Sequence, residues 1–175
     1  MCALNRVRLT GLFVLPFLFL VLAGPAAAQS ADLRPSPAVE FTGGYAGFVD
    51  DATIDHGVIG GAMRFHLSPR ISVGPEVQYM IGPGSDRDLI LTGNLTFEVL
   101  RPGTKVTPFL VAGGGLFMHR NSFGGRSFSS SEGAFTAGGG VRAWVSDRVY
   151  VAGEARLGWE LHWRFSGTVG IALRR

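Results

Sequence analysis

The sequence predicts an all-β protein, an eight-stranded antiparallel up-and-down transmembrane β-barrel. Three observations lead to this prediction. Apolar and polar side chains alternate along most of the chain, short turns and longer polar connections alternate between these stretches, and no stretch has helical periodicity. The 26 glycines agree with it, because glycine inside a helix costs about 1 kcal/mol relative to alanine.

The first element along the chain, residues 1–28, has the composition of a cleaved signal peptide. Arg6 and Arg8 give it a positive start, an apolar run follows from Leu12 to Leu22, and small residues precede Gln29. The apolar run is too short for a membrane-spanning helix, which needs about 20 residues. A retained anchor is the alternative interpretation.

The mature chain is predicted to start with a polar lead-in, residues 29–37, followed by the barrel, residues 38–175. Because Arg6 and Arg8 leave with the signal peptide, the formal net charge falls from +3 to +1. No Lys/Arg run remains, so we expect no nucleic-acid partner. The single cysteine, Cys2, also lies in the removed segment, which excludes disulfides and cysteine ligands in the mature chain.

Eight stretches are predicted strands because their side chains alternate with period two. The fourth is typical: Leu91 and Leu95 lie on one face, while Thr92 and Asn94 lie on the other. The fifth is apolar on both faces and the sixth is rich in glycine, so their faces are less distinct. In order, the predicted strands are 39–49, 59–67, 71–79, 89–99, 106–119, 133–145, 149–159 and 163–173.

The connections between these strands alternate in character. Residues 68–70, 101–104 and 146–147 carry tight-turn signals. The intervening connections, residues 50–55, 82–88, 121–131 and 160–162, are mostly longer and polar. Short turns at one rim and long loops at the other are typical of barrels that assemble from the periplasmic side.

The polar faces carry few charges, and the chain has one lysine, so we expect these faces to point into a closed lumen where acids and arginines pair. The apolar faces would then meet lipid, with aromatic residues towards the strand ends. A soluble sheet with an aromatic core is the alternative. The predicted polar network consists of Glu40, Arg64, Glu76, Glu98, Arg142, Glu154 and Arg156. The predicted aromatic girdle consists of Tyr45, Phe65, Tyr79, Trp159, Trp163 and Phe165, with Phe109 and Phe117 as further candidates.

Residues 107–115, with the sequence TPFLVAGGG, and residues 138–142, with the sequence GGGVR, resemble adjacent strands of the OmpA-like and OmpX-like small outer-membrane barrels. The resemblance covers about all of the mature chain. It implies an address in the outer membrane of a Gram-negative cell and a barrel assembly machinery as a partner during insertion. It implies no particular activity.

The sequence evidence for a metal or catalytic site is weaker than that for the barrel fold. The four histidines, His56, His66, His119 and His162, match no compact metal motif, so we interpret them as rim or surface residues and predict no metal. His119, Ser122 and Glu132 have the residue types of a catalytic triad, but Ser122 falls in a predicted flexible loop. Five acids could bind a divalent cation, although solvated loop acids are the simpler interpretation. They are Asp50, Asp51, Asp55, Asp86 and Asp88.

We therefore predict a monomeric structural or interaction protein of the outer membrane that acts through its surface and loops, in membrane integrity, adhesion or surface contact. It is predicted not to be an enzyme, with no cofactor. Its expected partners are outer-membrane lipid and an extracellular ligand of the loops. The alternatives are a narrow transport or ligand-binding barrel and a lipid-modifying outer-membrane enzyme.

Overall fold

The structure is a computed structural model that describes residues 36–49, 53–100, 104–123 and 126–173, without the side chains of 122–123, 126–127 and 160. The predicted signal peptide and most of the lead-in lie outside these residues. The strands and one short 3₁₀ helix are β1 (Ala38–Val49), β2 (Thr53–His66), β3 (Ile71–Ile81), β4 (Arg87–Glu98), β5 (Val106–Phe123), β6 (Arg126–Trp144), β7 (Val149–Gly158), η1 (Trp159–Leu161) and β8 (His162–Ala172). In these ranges no helix is long and apolar enough to cross a membrane.

Each strand pairs antiparallel with the next one along the chain, and β1 pairs with β8 to close the barrel. The closing ladder runs from Ala38 opposite Ala172 to Phe48 opposite His162. Closure leaves no open sheet edge around this part of the barrel, so its backbone groups are paired within the sheet. The predicted eight-stranded antiparallel up-and-down barrel is confirmed.

The alternation in the sequence becomes an inside and an outside. In β4, Ile90 and Thr96 are buried in the interior, here called the lumen, while Leu91 and Leu95 are exposed on the outer wall. The close approach of neighbouring strands also depends on glycine. A Cβ atom at Gly115 of β5 would overlap the carbonyl oxygen of Leu91.

Two details of the sequence prediction were wrong. First, much of the sequence predicted as loop belongs to strands: β2 begins at Thr53 and β5 continues to Phe123. The reason is that antiparallel pairing holds polar segments extended as well as apolar ones. In addition, Phe109 and Phe117 are each 3% exposed and lie in the lumen, not in the outer girdle. Both faces of β5 are apolar, so its alternation did not identify the outer one.

The hairpin of β5 and β6 extends past its neighbours at the rim that contains the β1–β2, β3–β4, β5–β6 and β7–β8 connections, here called the loop rim. The pairing of β5 with β4 ends at Arg120, whereas its pairing with β6 continues to Phe123. On the other side, the pairing of β6 with β7 begins only at Thr136. The β5–β6 hairpin therefore forms a two-stranded projection at the loop rim.

Candidate functional site

The lumen contains an ionic network of equal numbers of acids and bases among the described residues. Their side chains are contributed by seven of the eight strands, since each strand except β5 turns a polar face inward. The four glutamates are Glu40, Glu76, Glu98 and Glu154, and the four arginines are Arg64, Arg142, Arg156 and Arg164. Pairing offsets the cost of burying these charges.

Glu40 of β1 is the centre of one group in this network. Arg64 donates to both of its oxygens, with an Nε–Oε1 distance of 2.9 Å and an Nη2–Oε2 distance of 2.8 Å. The hydroxyl of Tyr150 donates to Oε1 at 2.5 Å. Arg64 also donates to Thr96 at 2.6 Å. A forked guanidinium–carboxylate pair of this kind has a fixed geometry. Here it joins the neighbouring strands β1 and β2, while Tyr150 connects Glu40 to β7.

Arg142 of β6 joins this group to a second acid. It donates to Glu98 and lies 3.8 Å from Glu40 Oε1. Its guanidinium carbon lies 5.2 Å from the ring centroid of Phe109 and 4.8 Å from that of Tyr150. These cation–π contacts offset part of the cost of burying a cation whose Nε and Nη2 have no hydrogen-bond partner.

Glu76 of β3 is the centre of the other group. It accepts from Arg156 Nη2 at 2.8 Å and from Arg164 Nη2 at 2.9 Å. Asn94 donates to it at 2.7 Å. Glu154 accepts from Arg156 Nε at 2.5 Å and from Arg164 at 3.3 Å. Two carboxylates thus share two guanidinium groups, and β3 is connected to β7 and β8.

All seven residues of the predicted network project into the lumen and take part in these contacts. The sequence prediction omitted Arg164, although it lies on the same polar stripe of β8 as Ser166 and Thr168. It also omitted Tyr150 and Asn94, because a single phenol or amide on a polar face carries no charge-pairing signal. Alternation assigns a residue to a face but does not show which partner it meets.

The side chains nearly fill this part of the lumen. A cavity of about 10 Å³ lies between the two groups, with Glu40, Arg64, Glu76, Arg142 and Arg156 among its lining residues. This is room for roughly one water molecule.

The outer wall is apolar and carries the predicted girdle residues. Phe41 is 61% exposed and Leu110 is 58% exposed. The Tyr45 and Trp163 rings lie 5.3 Å apart between their centroids, and Phe165 lies next to Trp163 at 5.5 Å. The arrangement is thus opposite to that of a water-soluble globule, since apolar side chains cover the exterior and ions are buried.

At the loop rim, the structure brings together residues that the sequence had placed in separate candidate groups. His56, Asp86 and Asp88 form a cluster that could hold a metal ion, and His119 contacts both acids. The remaining members of the predicted acid group do not join it: Asp55 is exposed, and Asp50 and Asp51 lie outside the described residues. The sequence grouped Asp86 with Asp88 but not with His56 or His119, because the two histidines come from other strands.

The three residues considered for catalysis are not assembled into a triad in the part that the structure describes. His119 Nδ1 lies 2.6 Å from Asp88 Oδ1. Glu132 accepts a hydrogen bond from Trp159 at 3.2 Å. The side chain of Ser122 lies outside the described part.

A closed antiparallel barrel of eight strands, with an apolar exterior and an ionic, filled interior, defines the class of transmembrane β-barrels. The chain has the fold of the small eight-stranded outer-membrane barrels, so the resemblance predicted from the sequence is confirmed for the fold. No protein-family model matches the sequence, and no curated protein matches it either.

Three solved structures illustrate the likeness. Neisserial surface protein A matches with a TM-score of 0.71 at 10% identity, over 78% of this chain and 97% of that one. The N-terminal barrel of Pseudomonas aeruginosa OprF matches with a TM-score of 0.62 at 14% identity, over 78% and 96%. Ail, the attachment invasion locus protein of Yersinia pestis, matches with a TM-score of 0.50 at 12% identity, over 78% and 97%.

Proposed function

We propose that this chain is an outer-membrane β-barrel of a Gram-negative cell, exported by a cleaved signal peptide, that acts through its surface and rim. The observation that carries the proposal is the distribution of polarity. Large apolar side chains are exposed around the whole barrel, while the eight ionic side chains of the network face the lumen and six of them are buried. An exposed apolar surface of this extent needs a non-aqueous partner.

Lipid is the partner that fits this surface. The apolar residues come from all eight strands and form a continuous wall, whereas a protein partner would cover one side. Aromatic side chains such as Tyr45, Trp159 and Trp163 lie near the loop rim, and Phe65 lies near the opposite one, as expected for rings at the membrane interfaces. The shared fold with Neisserial surface protein A and the OprF barrel supports the same environment.

The filled lumen favours a structural or contact role over transport. The Arg156–Glu76 ion pair joins β7 to β3 across the lumen, Arg64–Glu40 joins the neighbouring strands β2 and β1 along its wall, and the cavity lined by both pairs is about 10 Å³. Eight-stranded barrels have an interior just wide enough for side chains. Conduction would require these pairs to separate, so we propose that the barrel is closed.

The projecting β5–β6 hairpin is the surface that we propose for contact with an extracellular ligand. Where β6 has no pairing with β7, before Thr136, the hairpin exposes Phe128 and Ser129–Ser131. The name of the Yersinia pestis protein with this fold refers to attachment and invasion. For this chain we propose only the general role, which is membrane integrity or contact through the rim. Catalysis is not part of the proposal, because the described contacts of His119 and Glu132 are with different residues, Asp88 and Trp159, and do not bring these two side chains together.

The test is to express the full-length precursor in a Gram-negative host and to locate the folded protein. We expect it in the outer-membrane fraction, extractable only with detergent, with a gel mobility that changes on heating. Planar-bilayer recordings of the purified protein should show no steady conductance. Folded protein that remains soluble in the periplasm without an amphiphile would refute the location, and a regular single-channel conductance would favour the transport alternative.

A further inference from the structure

Four polar side chains meet at the loop rim, at the mouth of the lumen. His56 lies on β2, His119 on β5 and Asp88 on β4, directly opposite His119 in the β4–β5 ladder. Asp86 comes from the connection just before β4. Three of the four are thus positioned by the barrel wall, not by a loop, which favours a fixed geometry.

His56 faces both carboxylates with the same nitrogen. Its Nε2 lies 3.1 Å from Asp86 Oδ2 and 3.2 Å from Asp88 Oδ2. Zinc bonds of about 2.0–2.1 Å place tetrahedral ligand atoms about 3.3 Å apart. The two nitrogen–oxygen distances are therefore close to those between ligands of one small cation, and one ligand atom from each of the three residues lies within 4.8 Å of the others.

The hydrogen bond of His56 to the backbone determines which ring nitrogen faces the two acids. Its Nδ1 lies 3.2 Å from the carbonyl oxygen of Ile54, which can only accept, so Nδ1 carries a hydrogen. In the neutral ring Nε2 then presents a lone pair to two carboxylate oxygens. Either a second proton or a metal ion must lie among these three electron-rich atoms. A histidine that donates its other ring nitrogen to a backbone carbonyl is the usual arrangement for a metal ligand.

The surroundings hold the acids in place and leave room for an ion. His119 Nδ1 lies 2.6 Å from Asp88 Oδ1 and 3.5 Å from Asp86 Oδ1, so it contacts the oxygens that point away from His56. Arg87 donates to the backbone carbonyls of Gly82 and Asp86 at 3.2 and 2.5 Å, which fixes the connection. A Cβ at Gly82 would lie 2.5 Å from His56 Nε2 and 2.8 Å from Asp86 Oδ2. Because glycine has no Cβ, the space beside these two atoms is not filled by residue 82.

Burial distinguishes this cluster from solvated rim acids. The side chain of His56 is 2% exposed and that of Asp88 is 3% exposed. Phe48 packs against His56 with ring centroids 4.9 Å apart. His119, by contrast, is 34% exposed, so the cluster has an opening towards the rim. Two buried carboxylates without a compensating cation would be costly.

We propose that His56, Asp86 and Asp88 bind one divalent transition-metal cation, represented by Zn²⁺, and that His119 positions the two carboxylates. A nitrogen ligand and two carboxylates suit zinc and its neighbours, whereas calcium and magnesium prefer complete oxygen shells. Three protein ligands leave a fourth position open. The site lies at the rim, apart from the ionic network of the lumen.

The experiment is a calorimetric titration of Zn²⁺ into the folded full chain, purified in detergent and stripped with a chelator. We expect one ion per chain, and at least tenfold weaker binding in His56→Gln and in Asp88→Asn. The matched control is His66→Gln, which changes a histidine whose Nδ1 contacts Ser36 instead, and which should bind Zn²⁺ like the unaltered protein. Heat-dependent mobility verifies folding of each variant.

A second variant covers the case in which a ligand change prevents folding. Gly82→Ala keeps every ligand, so we expect the variant to fold. Its new methyl group lies against His56 Nε2, so the variant should nevertheless bind Zn²⁺ at least tenfold more weakly than the unaltered protein. Absence of stoichiometric Zn²⁺ binding, or unchanged binding in these variants, would overturn the proposal and leave the cluster as imidazolium–carboxylate pairs. Equal binding of Ca²⁺ and Zn²⁺ would overturn the assignment to a transition metal. None of these results depends on the membrane role.

Discussion

Glu76 is the acid whose charge is shared most widely in the lumen. It pairs with Arg156 and Arg164 at 2.8 and 2.9 Å and also accepts from Asn94 and Gln78. Glu154 is the only other acid that contacts these two arginines among the described ion pairs. Neutralising Glu76 would therefore leave two buried cations with one anion.

Glu76→Gln should lower the free energy of unfolding by about 3–5 kcal/mol, the usual result of removing one partner from a buried ion pair. The matched variant is Glu76→Gln with Arg164→Met, which restores one cation to one anion and should recover much of the loss. Urea unfolding in phospholipid vesicles, followed by heat-dependent mobility, measures both. A double variant that is less stable than the single one would contradict this account of the network.

Tyr150 reaches Glu40 by passing over Gly170 of β8, which has no side chain and lies opposite both residues. A Cβ at Gly170 would overlap the Tyr150 ring, whereas a Cβ at Gly153 on the outer face of β7 would meet nothing within 4 Å. Gly170→Ala should displace the ring, break its bond to Glu40 and cost about 1–3 kcal/mol. Gly153→Ala is the control and should change stability by less than about 0.5 kcal/mol. Equal losses in the two variants, measured by urea unfolding, would refute the close-packing argument.

The strands show what alternation in a sequence can and cannot predict. In β4, β7 and β8 the predicted faces agree with the structure, because polar and apolar residues alternate and one face must be buried. In β5 both faces are apolar, so the period does not distinguish them, and Phe109 and Phe117, which are candidates for the outer girdle from the sequence, lie inside. Polar composition also misled at the ends of β5 and β6, where the hairpin continues.

The rim cluster illustrates a different limit. His56 and His119 are far apart in the sequence, and they come close only because β2 and β5 enter the same rim of a closed barrel. Two acids two residues apart, Asp86 and Asp88, are also common in exposed loops. Register across several strands decides which side chains meet, and neither composition nor spacing contains that register.

If the rim cluster binds Zn²⁺, the ion should attach the β3–β4 connection to β2. At 100-fold excess over the dissociation constant, a ligand of the folded state stabilises it by about 2.7 kcal/mol. Chelation should therefore lower the unfolding free energy by about this amount and speed hydrogen exchange at residues 82–88. In the His56→Gln variant, chelator should change neither the unfolding free energy nor the hydrogen exchange at residues 82–88. A change in exchange at the turn of residues 67–70, at the opposite rim, as large as that at 82–88 would contradict a local site.

The polarity of the whole barrel is opposite to that of a globular protein in water. The effect on stability of a charged residue added to the outer surface should therefore also differ between the two. Leu110 lies on the outer wall of β5, four residues after the strand begins at Val106, and is 58% exposed. On a soluble protein, an arginine at such a position would change stability by less than about 0.5 kcal/mol. Within a bilayer, the same arginine near the midplane costs about 2–4 kcal/mol.

Leu110→Arg should thus destabilise the barrel by about 2–4 kcal/mol in phospholipid vesicles and reduce the yield of folded protein in the outer membrane. The control is Ser129→Arg, which adds the same charge on the projecting part of β6, beyond the apolar wall, and should leave both quantities unchanged. Urea unfolding of the two variants in the same vesicles measures the difference. If Leu110→Arg were as stable as Ser129→Arg, the exposed apolar wall would not face lipid, and the proposed orientation of the two faces would fail.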